Sequence, residues 1–78
     1  MPTTPPSPKQ ISFVSWQLDS EDKLPDKIIG NVNYKKQDLE DWIEKNLEYG
    51  QVIDMINMLL QNQHDVVINQ LKHLGYEV

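Results

Sequence analysis

The absence of cysteine is the feature that most limits how this 78-residue sequence can fold. Without thiols there is no disulfide framework and no cysteine-ligated zinc to hold a small chain together. Domains of this size bury a modest fraction of their surface, so their stability is marginal unless a staple or a partner adds to it. The fold must therefore come from apolar side chains gathered from a few amphipathic segments, and burial against a partner is a reasonable expectation.

Two segments in the first half of the sequence have the pattern of β-strands. In residues 11–18 (ISFVSWQL), Val14, Trp16 and Leu18 alternate with polar residues, as they do in a half-buried strand. Residues 27–34 (KIIGNVNY) alternate in a similar way. The sequence predicts that these two strands form an antiparallel pair, joined by a loop longer than that of a tight hairpin.

Three segments with apolar side chains at helical spacing follow the predicted strands. The first begins at Asp38 as N-cap and ends at Gly50, the second lies within residues 51–63, and the third begins at Asp65 and ends at Gly75. We predict that the third helix ends in a Schellman motif. The side chains predicted to form the inner faces are all apolar: Leu39, Trp42, Ile43, Leu47, Val52, Ile53, Met55, Ile56, Leu59, Leu60, Val67, Ile68, Leu71 and Leu74.

The predicted fold class is α+β: a two-stranded antiparallel β element followed by three short α-helices packed on one face. Residues 1–10 contain four of the five prolines and are predicted to form a disordered Pro-rich N-terminus. Residues 11–78 are predicted to form a single small α+β domain. An alternative for the tail is a polyproline II ligand of the SH3 or WW type, because Pro2, Pro5 and Pro8 recur every three residues.

Charge and length argue against several classes of function. The chain carries twelve carboxylates and seven lysines, for a net charge of −5, and it has no arginine. This charge repels nucleic-acid phosphates and anionic lipid headgroups. No apolar run approaches the ~20 residues needed to span a bilayer. We therefore expect a cytoplasmic protein that binds neither nucleic acid nor membrane.

No arrangement of side chains in the sequence is typical of an active site or of a metal site. Asp19, Glu21 and Asp22 lack the ligand spacing of an EF-hand loop, and His64 and His73 belong to no catalytic or zinc motif. The two histidines are better explained as residues at helix ends. The sequence therefore predicts no enzyme, no cofactor, no metal and no small-molecule substrate.

The second and third predicted helices carry more apolar side chains than one small core needs. Ile53, Met58 and Val66 fall off the main apolar stripes, and Trp42 is large enough to anchor a partner. Such a surplus favours a surface for another protein, or for a second copy of this chain in a homo-oligomer. We predict a small acidic, non-enzymatic protein-interaction module, such as an adaptor, an inhibitor or a regulatory subunit, that uses these four residues.

The alternative function is a helix-turn-helix-like DNA-binding regulator. Its last helix would present Asn69, Gln70, Lys72 and His73 to the major groove, where amide side chains read adenine. The lysines, however, are outnumbered by carboxylates and are not grouped in the sequence. The chain therefore offers few positive side chains for contacts with DNA phosphates, and these contacts supply most nonspecific DNA affinity.

Overall fold

The computed structural model describes residues 4–77, which form four helices and one two-stranded antiparallel sheet. The α+β class is confirmed at this level, whereas the predicted order of strands and helices is not. In chain order the elements are α1 (Pro8–Ser20), β1 (Ile28–Ile29), β2 (Val32–Asn33), α2 (Lys35–Asn46), α3 (Tyr49–Leu60) and α4 (His64–Leu74).

Residues 11–18 lie in helix α1, so the prediction of a strand there is wrong. A capping box starts the helix: the Gln10 N–H donates to Ser7 Oγ at 3.3 Å, and the Ser7 N–H donates to Gln10 Oε1 at 2.9 Å. Pro8 occupies the first helical position, where its missing N–H is not needed. These three residues precede the apolar pattern and determine that it continues as a helix.

The buried side chains of α1 follow the helical period. Ile11, Val14, Ser15 and Leu18 are buried and recur at i, i+3, i+4 and i+7. Trp16, which the strand interpretation placed on the buried face, is 60% exposed. The alternation of apolar and polar residues in 11–18 therefore does not reflect a strand. Ser15 interrupts the apolar pattern, but it is small enough to lie on the buried face of the helix.

The segment before α1 contacts the helices. The Tyr49 N–H at the start of α3 donates to the Thr4 carbonyl at 2.8 Å, and Pro6 is buried. Residues 8–10 belong to α1, so the predicted boundary at residue 10 falls inside a helix. Helix α1 thus begins within the segment predicted to be disordered, while residues 1–3 of the predicted tail lie outside the described residues.

The second predicted strand is divided into a local hairpin. Ile29 pairs with Val32 across a turn formed by Gly30 and Asn31. Gly30 has a φ of +63° at the first turn position, as in the type II′ turns that match the strand twist. The predicted packing of three helices on one face of the β element is wrong, because Ile28, Ile29 and Val32 are exposed. Strands of two residues cannot offer a face wide enough to cover a helix.

Helices α2, α3 and α4 form where three helices were predicted, but their ends differ. Helix α2 begins at Lys35, one turn before Asp38, and α4 begins at His64 with Gln63 as N-cap. Gly50 lies in the first turn of α3 and does not end α2. The apolar spacing thus located the helices, whereas Asp38, Gly50 and Asp65 did not mark the helix ends predicted from them.

Helix α1 is the centre of the core. It packs against α2, α3 and α4, and α3 also packs against α4. Two side chains predicted to lie inside, Leu60 and Leu74, are exposed at the ends of their helices. The buried apolar side chains form one cluster, which consists of Ile11, Val14, Leu18, Leu24, Leu39, Ile43, Leu47, Val52, Met55, Leu59, Val67, Ile68, Leu71 and Tyr76.

The end of α4 confirms the predicted Schellman motif. Gly75 adopts a left-handed conformation with a φ of +110°, and the Tyr76 N–H donates to the Leu71 carbonyl at 2.9 Å. This reversal of the chain returns the Tyr76 side chain to the core, where it is buried. Similar left-handed ends follow α1 and α3, at Asp22 and Asn62.

We predict that Gly75→Ala lowers the free energy of unfolding by about 1–2 kcal/mol, because a side chain disfavours the left-handed conformation. No atom lies within 4 Å of the added Cβ, so the cost comes from the backbone alone. Gly50→Ala is the matched control: its Cβ also meets no atom within 4 Å, and it should stabilise the chain by about 0.5–1 kcal/mol. Urea denaturation measures both, and effects of the same sign would contradict the assignment.

Candidate functional site

An open cleft of about 490 Å³ lies where the loop before β1, helix α2 and the end of α4 meet. Helix α2 supplies two of its side chains, and the Schellman turn after α4 supplies three consecutive residues. The residues that line the cleft are Pro25, Asp26, Lys27, Asp38, Trp42, Gly75, Tyr76 and Glu77.

Two aromatic side chains form an apolar wall of the cleft. The ring centroids of Trp42 and Tyr76 are 5.4 Å apart, and the ring planes are tilted by 57°, a geometry that aromatic pairs favour. Trp42 is half-buried on α2, while Tyr76 is buried. Trp42 therefore combines a core contact with a surface that lines the cleft.

A carboxylate at the start of α2 joins the aromatic wall to a lysine. The Tyr76 hydroxyl donates to Asp38 Oδ2 at 3.1 Å, and Lys27 Nζ lies 3.9 Å from Asp38 Oδ1. Burial, and then the hydrogen bond and charge of Asp38, raise the pKa of the Tyr76 phenol well above its usual range. The phenol is thus held neutral and acts as a hydrogen-bond donor.

The lining of the cleft carries more negative than positive charge. Asp26, Asp38 and Glu77 supply three carboxylates, and Lys27 is the one lysine among the lining residues. Asp26 also accepts a hydrogen bond from the Asn33 side-chain amide at 2.8 Å. The cleft therefore has an aromatic wall and an acidic rim, which suits a ligand with an apolar stem and a positive end.

The β-hairpin stands beside the cleft and is fixed to it by Asn33. Its side-chain oxygen accepts from the Lys27 N–H at 2.9 Å and from the Lys35 N–H at 3.2 Å, which ties the hairpin to the cleft wall and to α2. Three apolar side chains of the hairpin, which together we call the hairpin surface, are exposed: Ile29 and Val32 form a cross-strand pair on one face, and Ile28 lies on the other. These side chains are Ile28 (66%), Ile29 (62%) and Val32 (50%).

Of the four residues predicted to bind a partner, Trp42 alone lines the cleft. Met58 and Ile53 are half-buried on α3, and Met58 packs against the core cluster. Val66 is exposed on α4. The sequence interpretation missed the hairpin surface, although the Gly30–Asn31 pair between apolar residues was a hairpin signal.

Two of the remaining candidate residues, His64 and Asp19, have contacts with other helices. His64 is buried, with its Nε2 3.2 Å from Gln17 Oε1 on α1. Asp19 lies 2.9 Å from Lys35 Nζ and 3.7 Å from Lys36 Nζ. Within residues 4–77, no group of three or more His, Cys, Asp or Glu side chains is placed to hold a metal ion. Nor does any helix in that range have the length and apolar character needed to cross a membrane.

Comparison of the chain with protein-family models, with curated proteins and with solved structures found no match. The cleft and the hairpin surface are therefore interpreted from their own geometry and chemistry. Both features depend on the same short segment, residues 25–33, whose first three residues line the cleft and whose later residues form the hairpin.

We predict that the free energy of unfolding falls as the pH rises above about 10, with a contribution from Tyr76 that approaches ~1.4 kcal/mol per pH unit. The pKa of this phenol is higher in the folded chain than in the unfolded chain. The contribution of the Tyr76 phenol to stability is therefore fully present when the pH is below the pKa of the unfolded state. It is lost as the pH rises toward the higher pKa of the folded state. Tyr76→Phe, which keeps the aromatic ring, should remove this contribution in urea denaturation from about pH 9 to 11.

Part of the decrease in the free energy of unfolding with rising pH should remain in Tyr76→Phe, because aspartates also raise the pKa values of Lys23 and Lys35. Tyr49→Phe, at an exposed tyrosine outside the cleft lining, is the matched control for removal of a phenol. An equal change of slope in the two variants would contradict the role assigned to Tyr76.

Proposed function

We propose that this chain is a small non-enzymatic protein-interaction module whose contact surface is the hairpin surface together with the cleft. The observation that carries the proposal is the exposure of Ile28, Ile29 and Val32 beside a core that closes without them. Neighbouring exposed apolar side chains with a polar surround are typical of protein-binding sites. Here the polar surround consists of Lys27, Asn33 and the cleft carboxylates.

The register of the hairpin supports binding of an extended partner segment. The Tyr34 N–H donates to the Lys27 carbonyl at 2.7 Å, and Ile28 lies opposite Asn33. In an antiparallel pair the next residue after a hydrogen-bonded pair directs its backbone groups outward. The N–H and C=O of Ile28 therefore lie on the open edge of β1, where a partner strand can pair with them.

The C-terminal helices provide a second, separate surface. Val66 is exposed on α4, and Met58 and Ile53 keep part of their surface on α3. Their role in partner binding stays a prediction, which a variant at Val66 tests independently of the hairpin. A homo-oligomer formed through either surface is the alternative to a foreign partner.

We predict that peptides selected from a random display library against the full chain bind at the hairpin. In ¹H–¹⁵N spectra they should shift the amides of residues 26–33, and Ile29→Ser should weaken binding about tenfold, as expected for loss of a buried anchor. Val66→Ser is the matched control and should leave the affinity unchanged. Light scattering with size-exclusion chromatography, run over a range of concentrations, separates self-association from binding of a foreign segment.

Three outcomes would overturn the proposal. Selected peptides whose shifts cluster on α3 and α4 would transfer the function to Met58 and Val66. Loss of affinity in Val66→Ser but not in Ile29→Ser would have the same meaning. Failure of the library to yield any peptide that shifts residues 26–33 would remove the hairpin as a binding surface.

One structural observation favours the helix-turn-helix alternative: Asn69, Lys72 and His73 are exposed next to one another on α4, as the base-contacting side chains of a recognition helix are. The surroundings of the lysines argue against DNA binding, because four of the seven lysines lie within 4.0 Å of aspartate carboxylates. Their charge is therefore partly compensated before any phosphate approaches. These four are Lys23, Lys27, Lys35 and Lys36.

We predict no measurable binding of a labelled DNA duplex at physiological salt, because counterion release needs uncompensated cations on one face. Fluorescence anisotropy at two salt concentrations measures this directly. Micromolar affinity that falls steeply with rising salt, and that is lost in Lys72→Gln, would favour the DNA-binding function instead.

A further inference from the structure

We infer that the cleft receives a lysine or arginine side chain from an extended, basic partner segment that lies along the hairpin surface. The inference rests on the proposed function and names the chemistry of its partner. The charge of the cleft, its aromatic wall and its position beside β1 support this partner.

The charge of the cleft is incompletely compensated. Its lining has three carboxylates and one lysine, and that lysine lies 3.9 Å from Asp38, beyond hydrogen-bond distance. Glu77 forms no ion pair within the described residues, and Asp26 accepts only from the neutral Asn33 amide. A second positive group at the cleft therefore finds two carboxylates, Asp26 and Glu77, with which no lysine of residues 4–77 forms an ion pair.

The aromatic wall adds a second source of attraction for a cation. Ring faces attract ammonium and guanidinium groups within about 6 Å of the ring centroid, and Trp42 and Tyr76 both line the cleft. The chain already has such a contact elsewhere, with Lys36 Nζ 4.0 Å from the centroid of the Trp16 ring. The stem of a lysine or arginine can pack on Trp42 and Pro25 while its charged end reaches the carboxylates.

The position of the cleft fits a side chain from a segment paired with β1. Lys27 lines the cleft and directly precedes Ile28, whose backbone lies on the open edge of the hairpin. A strand paired at Ile28 advances by about 3.3 Å per residue, so a long side chain one or two residues further along can reach the cleft beside Lys27. The backbone pairing and the charged pocket are therefore available to a single partner segment.

A foreign basic segment fits this surface better than a second copy of the chain. Each copy has a net charge of −5, and Lys23, Lys35 and Lys36 are engaged with aspartates on its own surface. Two copies would bring acidic rims together, and like charges at close range disfavour association. Charge complementarity therefore selects a partner with excess lysine or arginine.

The test uses n-butylguanidinium as the probe and n-butylurea, its neutral analogue, as the reference. The full ¹⁵N-labelled chain is titrated with each at low salt, and the Trp42 indole N–H and the amides of Gly75 and Glu77 are followed. We expect n-butylguanidinium to shift these signals with an affinity on the order of millimolar, as befits so small a ligand. Butylurea should bind at least about threefold more weakly, since it lacks the charge.

Two variants are expected to change the affinity for n-butylguanidinium in opposite directions. Damage to the fold would instead weaken binding in both. Glu77→Gln removes a carboxylate and should weaken n-butylguanidinium binding about two- to fivefold, the range of an exposed charge pair. Lys27→Gln removes the competing cation and should strengthen binding by a similar factor. Asp54→Asn, an exposed carboxylate on α3 outside the cleft, is the control and should leave the affinity unchanged.

Equal binding of the two probes, or weakening in both Glu77→Gln and Lys27→Gln, would overturn the assignment of a cation site. If the selected peptides still bound residues 26–33 in that case, the proposed function would stand without this inference. If n-butylguanidinium bound as expected and no peptide bound the hairpin, the cleft would remain a cation site and the proposed function would fail.

Discussion

The burial of one face of α1 is the interaction on which the rest of the structure depends. This helix is the element that contacts all three other helices, and its apolar stripe contributes Ile11, Val14 and Leu18 to the core. Its polar side chains strengthen the same contacts, since Ser15 donates to Glu40 on α2 and Gln17 pairs with His64 on α4. Removal of α1 would expose the inner faces of all three other helices to water.

Sequence patterns predicted α2, α3 and α4 but not α1, and the difference has a local cause. In the later helices most apolar residues follow helical spacing, whereas in α1 both a helical and an alternating pattern can be drawn through Val14 and Leu18. The signals that decide between them, Ser7 and Gln10 as a capping box, lie in the proline-rich segment. A segment interpreted as disordered thus contained the start of the central helix.

The candidate site was less predictable than the fold, because it is made by tertiary contacts between distant residues. The Schellman turn at Gly75 was foreseeable from the sequence, and Asp38 and Trp42 are i, i+4 neighbours on α2, but nothing in the sequence indicates that Tyr76 meets them. The exposure of the hairpin could not be predicted from the sequence either, because strands with apolar residues are usually covered by other elements. The cleft therefore illustrates how a helix cap can position a side chain for a site formed by another helix.

The local pairing of β1 with β2 also bears on how fast the chain folds. The two strands are joined by two residues, so the sheet forms without the entropic cost of closing a long loop. Its hydrogen bonds join near neighbours, and the remaining secondary structure is helical, which gives the topology a low contact order. Helical domains with mostly local contacts fold in microseconds to milliseconds, and in this chain the docking of α1 joins distant segments, as the separation of 47 residues between Gln17 and His64 shows.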